Sequence, residues 1–218
     1  MPMAKGERVL EVRAIPVGPL STNCYILESG GYYVVIDPGD EGERILTQMR
    51  EGLAAGHRLK AVLLTHAHFD HTLAAGYLQE KTGAPVYVGR GDAGLLSNPG
   101  WMRPMMPAEV SRPADVRALS EGDILNVGAV SLVVWETPGH SPGSLTFLAE
   151  EGVPTPVVFC GDLLFRGGVG RTDLPGGDES ALASSISRVL ELPDETAVYP
   201  GHGPATTIGR ERDDNPFV

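Results

Sequence analysis

Four potential metal ligands lie within six consecutive residues, in the segment H-A-H-F-D-H at positions 66–71. Histidine and aspartate are ligand types that zinc, iron and manganese accept in proteins. The segment directly follows an apolar run at 60–65 that predicts a buried strand. If that strand continued, His66 and His68 would point the same way, whereas Asp70 and His71 would follow a bend and reach a second position. The segment therefore predicts a metal site at the end of a strand.

Three further candidate ligands lie in glycine-containing loops after other predicted strands. His140 lies in T-P-G-H-S-P-G, Asp162 in C-G-D and His202 in Y-P-G-H-G. The glycines allow the backbone to turn tightly and leave room for an ion and a substrate. Structural zinc sites are closed by four ligands, often cysteines. Seven histidines and aspartates without cysteine therefore favour a reactive metal centre over a structural zinc site.

The elements that must position these residues follow an α/β pattern. Short β-branched apolar segments predict strands at 9–17, 22–27, 32–36, 60–65, 85–88, 123–127, 130–136, 144–148, 157–160 and 197–199. Amphipathic segments predict helices at 41–55, 72–81 and 178–190. The segment 97–113 carries too many prolines for regular structure and predicts a long loop, which could cap the site or pack on the outer surface. The two halves together predict two sheets packed face to face with helices outside.

Length and composition predict one domain spanning residues 1–218 and exclude several classes of protein. The net charge of -11 disfavours nucleic acid as a partner. Charged residues interrupt the first 20 positions, and no apolar run approaches the roughly 20 residues of a membrane span, so we expect a cytoplasmic protein with no membrane partner. Two cysteines, Cys24 and Cys160, predict buried thiols without a disulfide.

The ligand pattern resembles the metallo-β-lactamase superfamily, whose H-x-H-x-D-H motif matches positions 66–71 and whose later ligands match the three loop residues. The resemblance covers nearly the whole chain and implies an α/β fold, a four-layer αββα sandwich with the metal site at one edge of the two sheets. It implies two metal sites and a bridging residue. The first site would comprise His66, His68 and His140, the second Asp70, His71 and His202, and Asp162 would bridge them.

Other segments are similar to glyoxalase II, the hydroxyacylglutathione hydrolases, and more closely to its short single-domain relatives. These segments are G-R-T-D at 170–173, Y-P-G-H at 199–202 and E-R-D-D-N-P at 211–216. Zinc β-lactamases tend to place cysteine at the bridging position, so the resemblance disfavours an antibiotic hydrolase. The candidate substrate-binding residues are Arg171, Arg166 and Tyr199. A guanidinium could bind a substrate carboxylate through two hydrogen bonds, although a surface ion pair is the simpler interpretation.

The resemblance implies a metal-dependent hydrolase that cleaves a small-molecule thioester, such as a hydroxyacylglutathione. A hydroxide bridging two divalent ions, zinc, iron or manganese, would attack the carbonyl. Asp70 would be both a ligand and the catalytic residue that orients this nucleophile. A thiolate leaves without a strong acid, because the pKa of a thiol is only about 8.5.

Two alternatives use the same residues. A persulfide dioxygenase would hold one ferrous ion in a 2-His-1-carboxylate site made by His66, His140 and Asp162, and would consume oxygen. A noncatalytic metal-binding module would fill every metal position with protein ligands. A nuclease is opposed by the acidic composition. Metal count and oxygen consumption distinguish the two catalytic alternatives.

Overall fold

The computed structural model describes residues 10–107 and 109–218, so the start of the predicted strand 9–17 lies partly outside the described residues. The strands are β1 (Glu11–Val17), β2 (Thr22–Ser29), β3 (Tyr32–Ile36), β4 (Arg58–Leu63), β5 (Val86–Gly89), β6 (Val116–Leu119), β7 (Ile124–Val127), β8 (Val130–Glu136), β9 (Leu145–Ala149), β10 (Val157–Gly161), β11 (Leu164–Phe165), β12 (Gly168–Val169), β13 (Ala197–Pro200) and β14 (Thr206–Thr207). The helices are α1 (Gly42–Ala54), α2 (Phe69–Thr72), α3 (Ala75–Thr82), α4 (Ala93–Ser97), α5 (Glu179–Val189) and α6 (Ile208–Asp214).

The strands form two mixed sheets and one small hairpin. The first sheet has the order β1-β2-β3-β4-β5-β6, antiparallel from β1 to β3 and parallel from β3 to β6. The second has the order β14-β13-β10-β9-β8-β7, in which β10 and β13 are parallel and the other neighbours antiparallel. Strands β11 and β12 form the hairpin.

Alternating side chains of the strands build three apolar layers, because successive residues point to opposite faces of a sheet. In β2, Tyr25 and Leu27 enter the core between the two sheets, whereas Cys24 and Ile26 face the opposite side with α1 and α3. In β10, Phe159 faces the other sheet and its neighbours pack with α5 and α6. The predicted αββα sandwich is confirmed.

The polar loops that follow the strand ends lie at one edge of the sandwich. The ligand loops follow β4, β8, β10 and β13, and each begins within five residues of its strand. Backbone hydrogen bonds tie the edges together: Leu145 N donates to Thr65 O at 2.7 Å, and Asn23 N donates to Gly201 O at 2.7 Å. Loops from both sheets therefore meet in one place.

The prediction of an irregular loop at 97–113 was partly wrong. Gly100–Met105 forms a 3₁₀ helix that contains Pro104, and α4 reaches Ser97. The proline φ of about −65° lies in the range of a 3₁₀ helix, so Pro104 fits this helix although its nitrogen has no N–H to donate. Strand β6 and the short elements were not predicted from the sequence: α2, α4, α6, β11, β12 and β14.

Both cysteines are free and buried, as predicted. Cys24 packs in the layer beneath α1, and Cys160 packs in the layer beneath α5. Within residues 10–107 and 109–218, no helix combines the length and apolar character that crossing a membrane requires.

Candidate metal centre

The seven predicted ligands converge at this edge of the two sheets. Their donor atoms form three overlapping groups, and within each group the atoms lie within 4.8 Å of one another. The groups are His66, His68 and His140; His66, His71 and Asp162; and Asp70, His71 and His202. Each group brings together residues from different loops. Folding thus places side by side candidate ligands that lie up to 136 positions apart in the sequence.

Asp162 lies at the centre of the cluster, and its two carboxylate oxygens face different histidines. Oδ1 lies 3.5 Å from His71 Nε2, whereas Oδ2 lies 3.6 Å from His140 Nε2 and 3.7 Å from His202 Nε2. Two ligand atoms on one tetrahedral zinc ion are about 3.3 Å apart, given a bond of 2.0–2.1 Å. The Asp162 carboxylate therefore lies at ligand spacing from histidines of both predicted metal sites.

Hydrogen bonds to the far ring nitrogens fix the orientation of three histidines. His140 Nδ1 donates to Arg171 O at 2.8 Å, and His202 Nδ1 donates to Leu20 O at 3.2 Å. His71 Nδ1 donates to a carboxylate oxygen of Asp37 at 2.9 Å. A carbonyl oxygen can only accept, so the proton resides on Nδ1 and the lone pair of Nε2 points into the cluster.

Asp37, which accepts the hydrogen bond from His71, was not predicted as a site residue. The residue follows β3 and is buried, and its backbone has a φ of 51°, in the left-handed region that non-glycine residues seldom occupy. Its carboxylate also accepts from Thr65 N at 2.7 Å and Thr65 Oγ1 at 2.6 Å. Its position after a strand at the same sheet edge was the signal that could have identified it.

Three buried atoms at the centre have no hydrogen-bond partner, and together they test whether a metal ion fits. They are His66 Nε2, His71 Nε2 and Asp162 Oδ1. A buried polar atom without a partner is costly, and a carboxylate oxygen more so. All three belong to one of the groups whose donor atoms converge. The lone pairs of two imidazoles and one carboxylate suit a divalent cation.

Burial keeps two of the histidines neutral. It is the largest cause that lowers the pKa of His66 well below its usual range, and the positive charges of neighbouring histidines lower it further. Burial and the adjacent His140 lower the pKa of His68 to about 3. A neutral imidazole is the form that binds a metal, so these two rings need lose no proton at neutral pH.

In the absence of metal, the pKa values of His71 and His202 are raised, unlike those of His66 and His68. Burial lowers the pKa of His71, but the carboxylates of Asp162 and Asp37 outweigh it and raise that pKa to about 10. Burial also opposes protonation of His202, and the hydrogen bond to Asp70 and the charge of Asp162 raise its pKa overall. A cation replaces these protons when it binds.

A cleft of about 500 Å³ opens beside the cluster. Apart from the candidate ligands, its walls are mostly apolar. Trp101 and Met105 of the 97–113 segment line it, and the Trp101 ring lies 5.7 Å from the His68 ring in an edge-on arrangement. The remaining wall residues are Leu20, Phe69, Leu174 and Arg171. The 3₁₀ helix therefore contributes one wall of the cleft.

The three predicted substrate-binding residues are not brought together. Arg171 lines the cleft, but its guanidinium forms two hydrogen bonds to Asp173, at 2.6 and 2.7 Å, and both residues are exposed. Arg166 is exposed in the turn of the β11–β12 hairpin, outside the cleft. The Tyr199 ring stacks on Phe159, with ring centroids 5.1 Å apart, and packs against the core between the sheets.

The metallo-beta-lactamase superfamily has a sequence model that matches residues 17–202. The chain belongs to this superfamily. It is 40% identical over 212 residues to the probable metallo-hydrolase YqgX of Bacillus subtilis (strain 168), covering 94% of this chain and 96% of YqgX. It is 34% identical over 220 residues to the hydroxyacylglutathione hydrolase GloC of Haemophilus influenzae, covering 96% and 98%.

Solved structures of other superfamily members have the same fold. The BLEG-1 B3 metallo-beta-lactamase is 39% identical with a TM-score of 0.84, covering 95% of this chain and 99% of BLEG-1. TTHA1623, solved in a di-iron-bound form, is 45% identical with a TM-score of 0.83, covering 95% and 100%. ETHE1 from Myxococcus xanthus is 31% identical with a TM-score of 0.74, covering 94% and 83%. The His/Asp cluster, together with the match to these relatives, identifies the chain as a metal-dependent hydrolase of the superfamily.

Proposed function

We propose that the chain is a dinuclear metal hydrolase that cleaves thioesters of the hydroxyacylglutathione type. The observation that carries the proposal is the central carboxylate of Asp162, whose two oxygens face histidines on both sides of the cluster. Histidines of both proposed sets thus lie at the spacing of shared-ion ligands from this one carboxylate. The similarity to TTHA1623 in its di-iron-bound form supports two ions, and the similarity to GloC supports the substrate class.

In this proposal the seven residues divide as two sets of three around a shared carboxylate. When bound, two divalent ions lower the pKa of a water molecule to about 7 and polarise a carbonyl oxygen. Zinc and iron both suit these ligands, and manganese suits the carboxylates. The first set is His66, His68 and His140, the second is Asp70, His71 and His202, and Asp162 is shared.

Asp70 is the proposed catalytic residue. One of its oxygens, Oδ2, lies 3.2 Å from His202 Nε2 and 3.4 Å from His71 Nε2, and it accepts a hydrogen bond from Thr22 Oγ1 at 3.1 Å. The Asp70 side chain is 15% exposed and lines the cleft, so it can both hold an ion and orient a nucleophile beside the substrate.

The substrate binds, in this proposal, in the cleft beside the cluster. The apolar wall formed by Trp101 and Met105 would shield the scissile bond from water, and the guanidinium of Arg171 is the one basic group, other than histidine, among the described residues that line the cleft. A carboxylate of glutathione could replace Asp173 as the partner of the Arg171 guanidinium. The leaving group is a thiolate anion, and because the pKa of a thiol is only about 8.5 it leaves without a dedicated general acid.

The first test is metal content together with turnover. Elemental analysis of protein purified without chelator should give two ions per chain, and the protein should hydrolyse the lactoyl thioester of glutathione. Chelator treatment should abolish turnover, and added metal should restore it. Asp70→Ala should lose one ion and most of the turnover, whereas His57→Ala, outside the cluster, should keep both. A folded Asp70→Ala enzyme with unchanged turnover would refute the two-ion mechanism.

A second candidate, the persulfide dioxygenase, is supported by the similarity to ETHE1 from Myxococcus xanthus. It would use one iron ion held by His66, His140 and Asp162. A single iron per chain, together with oxygen uptake on a persulfide of glutathione and no thioester cleavage, would favour it. The similarity to BLEG-1 makes a β-lactam a useful third substrate in the same panel.

We further propose that the partner is a small molecule, that nucleic acid and membranes are not partners, and that the protein acts in the cytoplasm. The net charge of -11 would repel a polyanion. Weak retention on immobilised DNA at low salt is the expected result.

A further inference from the structure

Asp92 is a buried carboxylate that no part of the proposed reaction uses. It lies between β5 and α4, and its side chain is fully removed from solvent. Its oxygens accept three hydrogen bonds: from Ala67 N at 2.9 Å, from Ser141 Oγ at 2.7 Å and from Gly143 N at 2.7 Å. Among the described residues no lysine or arginine is paired with it, so these three donors stabilise the charge.

The three donors lie in two segments that carry candidate metal ligands. Ala67 separates His66 from His68, and Ser141 directly follows His140. One oxygen, Oδ2, accepts from both Ala67 N and Ser141 Oγ. A single atom thereby fixes the distance between the loop after β4 and the loop after β8.

Glycines allow the backbone around Asp92 to approach the second segment closely. A Cβ at Gly143 would lie 2.3 Å from Asp92 N, and a Cβ at Gly89 would lie 2.0 Å from Gly143 O. At Gly91 a Cβ would lie 2.7 Å from Pro142 O. No larger residue fits at these contacts, so the position of the carboxylate relative to both loops is rigidly defined.

We propose that Asp92 is a positioning residue for the metal site formed by His66, His68 and His140. It sets the separation between the first two ligands and the third, and it does so through hydrogen bonds and not through contact with the ion. The inference rests on the metal centre of the proposed function and is independent of which substrate is cleaved.

Asparagine at this position would not substitute for the carboxylate. All three partners are donors, and an amide offers only one accepting oxygen. Its NH₂ group would therefore face either the N–H of Gly143 or the N–H of Ala67, depending on its orientation. At least one hydrogen bond is lost in Asp92→Asn, and a buried donor remains without a partner.

The experiment is a cobalt(II) titration of chelator-treated protein, followed by visible absorption and by competition with a chelator. Cobalt(II) reports both affinity and coordination geometry. In Asp92→Asn one of the two ion-binding constants should weaken about 10- to 100-fold, the range for outer ligand partners. The absorption of that ion should also change, while the other constant stays within about threefold of wild type.

Glu211 provides a matched control. It is also a buried carboxylate, and it accepts from Gly167 N at 2.7 Å, from Asn215 Nδ2 at 2.9 Å and from Thr206 Oγ1. None of these donors lies between the ligands of the first site. Both Glu211→Gln and Asp92→Asn should lower the unfolding temperature of metal-free protein. Glu211→Gln should leave unchanged the cobalt-binding constant that Asp92→Asn is expected to weaken.

Ser141→Ala keeps the test decisive if Asp92→Asn does not fold. It removes one of the three hydrogen bonds and leaves both backbone N–H groups bound to Asp92. In Ser141→Ala, the cobalt-binding constant that Asp92→Asn weakens should lie between its wild-type value and its value in Asp92→Asn. The proposal would be overturned if Ser141→Ala and any folded Asp92→Asn bind cobalt with wild-type affinity. It would also be overturned if Glu211→Gln loses as much cobalt affinity as Asp92→Asn. If cobalt binding follows the expected pattern but no thioester is cleaved, only the proposed function fails.

Discussion

Metal-free protein should lose stability as the pH rises from 7 to 8.5. Chelation leaves His71 surrounded by the carboxylates of Asp162, Asp37 and Asp70, which outweigh its burial and raise its pKa to about 10. The ordinary value in an unfolded chain is about 6.5. The folded state thus holds a proton that the unfolded state releases above pH 6.5.

The sign and size of the effect follow from linkage. A folded pKa above the unfolded pKa contributes stability that is complete below pH 6.5 and is lost as the pH rises towards 10. Between pH 7 and 8.5 the loss is about 2 kcal/mol for His71 alone, at 1.36 kcal/mol per pH unit. The raised pKa of His202 adds to this loss in the same direction. For about 200 residues, 2 kcal/mol corresponds to about 4–8 °C in unfolding temperature.

Urea and thermal unfolding of chelator-treated protein at both pH values would measure this loss. The range ends at pH 8.5 because burial raises the pKa values of Cys24 and Cys160, and thiols in the unfolded chain begin to titrate there. His71→Leu should flatten most of the dependence, and metal-loaded protein should show little, because bound metal keeps the imidazole neutral. Equal or greater stability of the metal-free wild type at pH 8.5 would refute the reasoning.

Three further substitutions test the packing around the site. Phe147→Ala empties a fully buried position between the sheets and should lower the free energy of unfolding by about 3–5 kcal/mol in urea; a loss under about 1 kcal/mol would contradict the packing. Gly139→Ala, at a φ of 138°, would place a methyl group 2.3 Å from the backbone of Leu182 and should lower metal content after dialysis, unlike the open Gly94→Ala. Trp101→Ala should raise KM more than it lowers kcat, and an unchanged KM would exclude Trp101 from substrate binding.

Much of the fold could be predicted from hydrophobic periodicity. All ten long strands that the pattern predicts are present, including β9 (Leu145–Ala149) and β10 (Val157–Gly161), because the period of two is set by which side chains must be buried. The short elements could not be predicted. Two-residue strands such as β11 and β14 have no periodicity, and α6 depends on the buried Glu211, whose partners lie up to 44 residues away.

The ligand set was the clearest signal in the site. Residue type and spacing alone identified all seven residues that the structure brings together, since few arrangements other than a metal site place so many histidines and aspartates after strand ends. Tyr199 and Arg166 were a different case. Each was a polar residue near a motif, and whether it faces the cleft depends on strand orientation and hairpin geometry that no local pattern encodes.

The sequence by itself determined the superfamily, the layered α/β fold and the chemistry of the donor atoms, because these depend on residue type and short spacing. Only the tertiary structure decided which groups support those ligands. Asp37 and Asp92 are ordinary turn aspartates in the printed sequence, 29 and 26 residues from His66. They become partners of the ligand loops because parallel strands β3, β4 and β5 end at the same edge of one sheet. Contacts made across strand ends depend on the packing of the whole chain and have no local signature.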